Sequence, residues 1–303
     1  MTQNRSSGDL AADRRYQWGL GAVERGDFEA ARDLFAQALE ITPAWAPGWF
    51  ALAQALESLD RRTEAVEAYA RTLALEPTDA FGAGLCLAHL GALPAPETAP
   101  RAYVTALFDQ YAAKFDRHLV EALAYRGPQI LDAAVARAAP GRIFAQALDL
   151  GCGPGLFGAI FRPKARKMTG VDLSPAMIEQ ARLKNLYDRL VAADLVDFLL
   201  SEPKQGADFI AAADVFVYIG DLAPVFSAAA QSLAPGGLFA FTAQNCGGEG
   251  FIGGPDRRFS HGRAYLAACA AQNQFTVAEI SPASTRKDRG ADVPGWVAVL
   301  RRV

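Results

Sequence analysis

ALDLGCGPGLFGAIFRPKARKMTGVDLS, running from Ala147 to Ser174, decides how the rest of the chain is read. A short apolar run ends in Asp149-Leu150 and breaks into Gly151-Cys152-Gly153-Pro154-Gly155. Leu156 to Phe161 is apolar at helical length, and a second short strand then ends in Asp172. Strand, glycine turn, helix, strand and acid make the βαβ layout of a nucleotide-binding half-domain. A turn straight from strand into helix needs backbone angles that glycine adopts cheaply. It also leaves bare backbone for a ligand, with the first amides of the following helix directed at it. Asp172 comes 19 residues after Gly153 (172 − 153). That places a carboxylate where ribose hydroxyls can donate to it. A purely structural glycine turn is the competing reading.

The order Asp149, Gly151, Gly153, Gly155 is tighter and richer in glycine than the dinucleotide pattern, so a nicotinamide dehydrogenase is the weaker rival. It resembles motif I, D-x-G-x-G-x-G, of the class I S-adenosylmethionine-dependent methyltransferases. Val171-Asp172-Leu173-Ser174, followed by Pro175 and Met177, resembles that family's second motif, and Ala192-Ala193-Asp194-Leu195 its third. The resemblance implies Gly151 and Gly153 against the methionine part of the cofactor and Asp172 on its ribose. It implies Leu173 and Met177 packed on adenine, Asp194 on the adenine amino group, and the Leu195 amide facing the ring. Asp149 would lie behind the loop and hold it. Plainer roles compete: Asp172 and Asp194 can be helix N-caps, although Ser174 can cap its own helix, and Leu173 and Met177 can be core.

Outward from this stretch the chain alternates strands and helices. Strands are expected at Ile143–Leu150, Lys167–Val171, Leu190–Ala193, Phe209–Phe216, Leu238–Thr242, Thr276–Ile280 and Trp296–Arg301. Helices are expected at Pro175–Asn185, Val196–Ser201, Leu222–Leu233 and Gly262–Asn273. Alternation implies a mostly parallel sheet covered on both faces. Seven strands, the last two joined without a helix, match the methyltransferase sheet with its antiparallel final hairpin. Asp214 would end the fourth strand, where ligands sit in such sheets. Asp214-Val215-Phe216-Val217-Tyr218 departs from the Asp/Asn-Pro-Pro-Tyr of adenine and glutamine amino methylators, which argues against those substrates.

Ahead of the sheet, Leu107-Phe108-Asp109-Gln110-Tyr111-x-x-Lys114-Phe115-Asp116 resembles the aromatic lid helix of many small-molecule methyltransferases. Tyr111 and Phe115 would cover the cofactor, and Arg126 would pair with its carboxylate; an ordinary amphipathic helix and a surface arginine are the alternative. A second helical stretch begins at Leu119 or Pro128 and runs to Ala139. The loop from Asn245 to Arg263 carries five glycines and ends in Arg257-Arg258-Phe259-Ser260-His261. It suits a mobile substrate gate. His261 titrates in the range of a general base and is a candidate catalytic residue with Tyr218; it can equally cap the helix from Gly262.

The first third reads differently. Ala31, Phe35, Ala38 and Pro43 recur as Ala65, Tyr69, Thr72 and Pro77, and Gly26-Asp27 corresponds to Asp60-Arg61. A period of 34 with small, aromatic, small and Pro in these places is the tetratricopeptide signature. Repeats are expected at 12–45 and 46–79, with a capping helix from Asp79 to Leu90. The organisation is therefore a frayed tail at 1–11, repeats at 12–91, a Pro/Ala-rich linker at 92–100 and a methyltransferase domain at 101–303, with lid helices over 101–140. The fold class is α/β, a Rossmann-like seven-stranded sheet behind an all-α repeat domain. The whole resembles a bacterial group of methyltransferases fused to tetratricopeptide repeats.

Composition sets outer bounds. The chain has 303 residues, 51% apolar, with 30 basic and 33 acidic side chains and a net charge of −3. That suits two domains with real cores and gives no bulk support for a nucleic-acid partner. Its four cysteines, Cys86, Cys152, Cys246 and Cys269, are scattered, so neither a zinc ribbon nor an iron–sulfur site is expected. No secretory h-region or membrane-length apolar run is present, and a cytoplasmic setting with reduced thiols is expected. The expected activity is in-line methyl transfer from S-adenosylmethionine, leaving S-adenosylhomocysteine, to an O, N, S or C nucleophile of a small molecule. Two alternatives stand beside it: a protein methyltransferase whose repeats recruit the substrate, and a cofactor-binding interaction protein without catalysis.

Overall fold

The computed structural model describes residues 6–112, 125–288 and 290–303. Packing divides the chain into two units: Met1–Leu107 with Pro255–Arg257, and Phe108–Gly254 with Arg258–Val303. The stretch 101–107, expected with the sheet, therefore groups with the repeats.

The first unit is a stack of antiparallel helices: α1 Leu10–Glu24, α2 Phe28–Ile41, α3 Ala46–Ser58, α4 Arg62–Leu75 and the short α5 Ala83–His89. The 34-residue register is visible in the backbone, since Gly26 and Asp60 both take positive φ (74° and 57°) at the turn inside each repeat. The small positions have a steric cause. A Cβ on Gly19 would lie 2.5 Å from the Phe35 ring, and Ala53, its counterpart, is fully buried. Phe35 and Tyr69 fill the space between helices, each against an aromatic of the preceding helix: Tyr16 at 5.4 Å and Phe50 at 5.6 Å. Asp79 accepts from the amides of Ala83 and Gly84 and so opens the capping helix. Residues 92–100 carry no helix. Arg257 also lies in this unit, 5.8 Å over the Phe50 ring and 5.3 Å over Tyr103.

The helix α6, Arg101–Tyr111, leads from the repeats into the second unit. That unit then runs α7 Gly127–Ala138, β1 Phe144–Leu150, α8 Leu156–Phe161, β2 Ala165–Asp172, α9 Pro175–Leu183, β3 Arg189–Ala192, α10 Leu195–Ser201, β4 Ala207–Ala212, α11 Ala223–Ser232, β5 Leu233–Gln244, the hairpin β6 Phe251–Gly253 and β7 Phe259–His261, α12 Arg263–Gln272, β8 Phe275–Ala283, the small hairpin β9 Lys287–Asp288 and β10 Ala291–Asp292, and β11 Gly295–Arg302. Seven strands form one sheet in the order β3-β2-β1-β4-β5-β11-β8, in which β11 alone runs antiparallel to its neighbours. The order reverses between β1 and β4, so a cleft opens at the carboxyl ends of those strands.

Period-two alternation assigns each face its core. Along β4, Phe209 and Ala211 face α7 and α8, while Ile210 and Ala212 face α10, α11 and α12. Buried on both sides, the central strands read as continuous apolar runs. The expected strands and helices all form, within a few residues. One boundary moves with consequence for the cleft. β4 stops at Ala212 rather than Phe216, because Asp214 turns the chain at φ +57° and its amide donates to Thr242 Oγ1 at 2.8 Å. Phe216 to Tyr218 then form a short 3-10 turn.

Among the described residues, no helix is long and apolar enough to cross a membrane, and no group of three or more His, Cys, Asp or Glu is placed to hold a metal ion.

Candidate active site

β1 delivers the chain into the turn Gly151-Cys152-Gly153-Pro154-Gly155, where all three glycines have positive φ. Gly151 is needed for space as well: a Cβ there would sit 2.4 Å from Val215 Cγ2. Asp172 closes β2 and ties this turn to the next helix. Its Oδ2 accepts from the Gly153 amide and its Oδ1 from the Ser174 amide, both at 2.8 Å. Burial pushes its pKa up to about 6 against those two hydrogen bonds, with Asp109 adding to the rise. The residue keeps partial exposure at the strand end, and each oxygen has a second lone pair for a hydroxyl donor. Ser174 caps α9, accepting from the Met177 amide at 3.1 Å, so Asp172 is not that helix's cap.

Behind the turn lies Asp149, 1% exposed. Burial raises its pKa to about 7, a donation from Tyr187 opposes this, and Asp172 adds to it. The Tyr187 hydroxyl reaches Asp149 Oδ2 at 2.7 Å. Tyr187 fits there because two elements carry glycine beside it. A Cβ on Gly158 would stand 2.4 Å from its hydroxyl, and one on Gly170 3.0 Å from its ring. Tyr187 was missed in the sequence. The available signal was glycine inside a helix and inside a strand, which marks a close approach.

The last turn of α6 lies against the same corner. Asp109 accepts from Ser174 Oγ at 2.5 Å and from the Ala176 amide at 3.2 Å. Phe108 packs edge-to-face on Tyr218 with ring centroids 5.4 Å apart. Tyr111, half buried, is in that turn, and Phe115 lies outside the described residues. Arg126 precedes α7 with its side chain exposed, and its amide donates to Thr285 O at 2.7 Å. Leu173 and Leu195 are half buried beside Asp172 and Asp194.

Three expectations need correction or qualification. Asp194 is the N-cap of α10, its Oδ1 accepting from the amides of Val196 and Asp197, a role it would hold beside any ligand contact. Met177 is fully buried and presents no surface to a ligand. His261 is also fully buried, on β7 rather than at the start of α12. Its Nε2–H donates to the carbonyls of Ile219 and Gly220, at 2.9 and 3.1 Å, and burial lowers its pKa. The ring is a neutral brace between the hairpin and the turn after β4, stacked on Tyr265; it is not placed to take a proton from a substrate.

Across the cleft from Asp172, the ends of β4, β5 and β8 gather a second set. Asp214 accepts from Thr242 Oγ1 at 3.0 Å and from Thr285 Oγ1 at 2.9 Å. Arg286, 8% exposed, stands 3.8 Å from Asp214 and donates to Gln244 Oε1 at 3.2 Å. Arg258, at the foot of β7, acts on the Tyr218 phenol and opposes the rise in its pKa. Burial raises the Tyr218 pKa against the charges of Arg258 and Arg286, so the phenol stays protonated. Sequence reading named Asp214 and Tyr218 and passed over both arginines.

The family model for "Methyltransferase domain" matches residues 119–281, and that for "Tetratricopeptide repeat" matches 22–86. A malonyl-[acyl-carrier protein] O-methyltransferase of Salmonella typhimurium is 32% identical over 102 residues, 34% of this chain and 40% of the relative. This chain therefore spans less than half the length of that relative. A Burkholderia thailandensis 1,6-didemethyltoxoflavin-N1-methyltransferase, solved with 1,6-didemethyltoxoflavin and S-adenosylhomocysteine, superposes with a TM-score of 0.52 at 20% identity, covering 70% of this chain and 93% of its own. The [4+2]-cyclase SpnF superposes equally well, with a TM-score of 0.53 at 16% identity over 66% of this chain and 94% of its own. The fold alone thus leaves the reaction open. The match over 119–281 takes in more than half of the sequence, and the chain belongs to the methyltransferase-domain family, with tetratricopeptide repeats ahead of that domain.

Proposed function

We propose that this chain transfers a methyl group from S-adenosylmethionine to a small-molecule nucleophile. The observation that carries the reading is Asp172, partly exposed at the end of β2 and held by the Gly153 and Ser174 amides beside bare glycine backbone. That donor set fits an adenosine-bearing group. Asp172 accepts from the ribose hydroxyls, Asp194 from the adenine amino group, and Leu173 and Leu195 wall the ring. Gly151 and Gly153 receive the methionine part, with Tyr111 and Arg126 closing from the lid side and Asp214 at the far edge. When bound, the cofactor supplies an electrophilic methyl for in-line displacement. The residues named here align the partners and exclude water, and orientation of this kind is worth about 7–11 kcal/mol of barrier. Tyr218, protonated, orients the acceptor rather than deprotonating it. The fully buried His261 has no part in proton transfer.

The test is calorimetric titration with S-adenosylhomocysteine beside NAD, using Asp172→Ala as control. Micromolar binding of the first ligand alone, lost in the variant, supports the reading; no binding by folded protein ends it. A second reading, a protein acceptor recruited by the repeats, draws on Trp18 of α1, which is 61% exposed. It requires Trp18→Ala to lower turnover of a protein acceptor while leaving S-adenosylhomocysteine affinity unchanged.

A further inference from the structure

The sheet has a second opening, at its amino edge and on the face packed by α10, α11 and α12. β1 and β2 begin there side by side, with Gln146 opposite Lys167 and Leu148 opposite Thr169. Period-two alternation puts Gln146, Lys167 and Thr169 on the face where Leu148 joins the core. α10 is too short to cover them. Its seven residues make about 10 Å of helix, whereas the eight residues of β2 span about 26 Å. The helix starts at the carboxyl edge, after Asp194, and ends before it reaches the strand beginnings. A cavity of about 270 Å³ remains, with Leu148, Thr169 and Ala207 as its buried floor and Gln146 and Lys167 on its wall. Lys167 precedes Asp172 by five residues on β2 (172 − 167), about 16 Å along the strand, so this cavity is separate from the cleft.

The acids at its rim already have partners. Glu202 Oε1 accepts from Arg189 Nη1 at 2.8 Å, and that guanidinium also lies 5.5 Å over the Phe198 ring. Asp188 accepts from the Met168 amide at 2.7 Å and from Arg162 Nη2 at 3.4 Å. Lys167 differs: among the described residues its ammonium makes no hydrogen bond or ion pair. Gln146 donates one amide hydrogen to Thr169 Oγ1 at 3.4 Å and has a second to give. An ammonium and an amide donor thus stand together beside apolar floor, the complement of a carboxylate on a short apolar body. One cation without a partner matches one negative charge, and Asp188 and Glu202 disfavour a second. The volume of about 270 Å³ lies just under the 300–1,000 Å³ or so of drug-sized pockets, which limits the ligand to roughly the size of benzoate.

We propose that this amino-edge cavity is a second binding site, for a small organic acid whose carboxylate meets Lys167 and Gln146 and whose apolar body lies on Leu148 and Ala207. Its ligand is independent of the methyl acceptor in the cleft. Benzoate and its neutral isostere benzamide probe the cavity by ligand-observed NMR titration of the full chain. Benzoate binds, and benzamide binds at least tenfold more weakly. Lys167→Gln weakens benzoate by about tenfold, the size of one charge-assisted hydrogen bond, and Lys167→Arg keeps it within about threefold. Lys167 is exposed, so both variants retain the fold, and urea unfolding checks this. Lys167→Gln also leaves S-adenosylhomocysteine affinity within twofold of the parent. No benzoate binding by the parent, equal binding of benzamide, or an unchanged benzoate Kd in Lys167→Gln overturns the proposal. Inorganic phosphate binding more tightly than benzoate overturns the choice of a carboxylate. A loss of S-adenosylhomocysteine affinity in Lys167→Gln overturns the separation from the cleft.

Discussion

The two sides of the cleft carry opposite chemistry on one sheet edge. On the β1–β2–β3 side the groups that end the strands are acids, Asp149, Asp172 and Asp194, with Asp109 against them from α6. On the β4–β5–β8 side two arginines and a protonated tyrosine surround one acid. The acidic side grows from the strands themselves, with short links between strand and helix. The basic side is assembled from a hairpin and a connection that the sheet does not require. The two meet where Val215 presses on Gly151.

That seam gives the largest expected effect. Gly151→Ala forces a Cβ to within 2.4 Å of Val215 Cγ2 at a residue with φ +64°. Overpacking and the left-handed backbone together should destabilise the protein by about 2–4 kcal/mol, measured by urea unfolding. Adding Val215→Ala should recover the steric share and leave about 1 kcal/mol from the backbone. Full recovery would mean the backbone angle is incidental and the two sides are joined by packing alone.

Next comes the contrast between the sides. Asp172→Ala should weaken S-adenosylhomocysteine by about 2–3 kcal/mol, about 30- to 150-fold in Kd. An unchanged Kd would show that the acidic side does not hold the cofactor.

Asp149 sharpens the comparison through pH. Its folded pKa of about 7 lies above its ordinary value of 3.8, so between those values the folded state holds more protons than the unfolded. Its contribution is complete below about pH 4 and is lost as pH rises through 7. Asp149→Asn keeps an acceptor for Tyr187 and removes the titration. Relative to the parent, it should gain about 1–3 kcal/mol of stability on going from pH 5 to pH 8, allowing for relaxation around the buried group. A pH-independent difference would mean Asp149 titrates normally.

How much of this was legible follows the same divide. The glycine turn, Asp172 and the 34-residue repeat depend on local spacing, and each could be read from the chain. The turn positions Gly26 and Asp60 show the repeat register in their shared backbone angle. What escaped depends on distance in sequence. Tyr187 meets an acid 38 residues away, and Asp109 meets a serine 65 residues away. Arg258 and Arg286 act on Tyr218 from two loops whose course no periodicity announces. His261 misled for a related reason: a histidine near a glycine-rich loop suggests chemistry, and only the packing of Phe251 and Tyr265 around it reveals a brace.

The smallest effect is expected at Asp109, and it bears on how α6 serves the acidic side. Asp109 is exposed, so Asp109→Ala should barely change unfolding. Yet its carboxylate accepts from Ser174 Oγ and from the Ala176 amide, at the start of the helix whose N-cap amide, that of Ser174, also holds Asp172. Removing it should loosen that corner and weaken S-adenosylhomocysteine by about 0.5–1 kcal/mol, about two- to fivefold. A second consequence runs the other way. Asp109 contributes to the raised pKa of Asp172, so its loss lets Asp172 stay ionised at lower pH. The affinity deficit of the variant should therefore be greatest near pH 8 and shrink toward pH 6. A deficit that stays constant with pH would assign Asp109 a purely mechanical hold on α9, with no electrostatic share in the site.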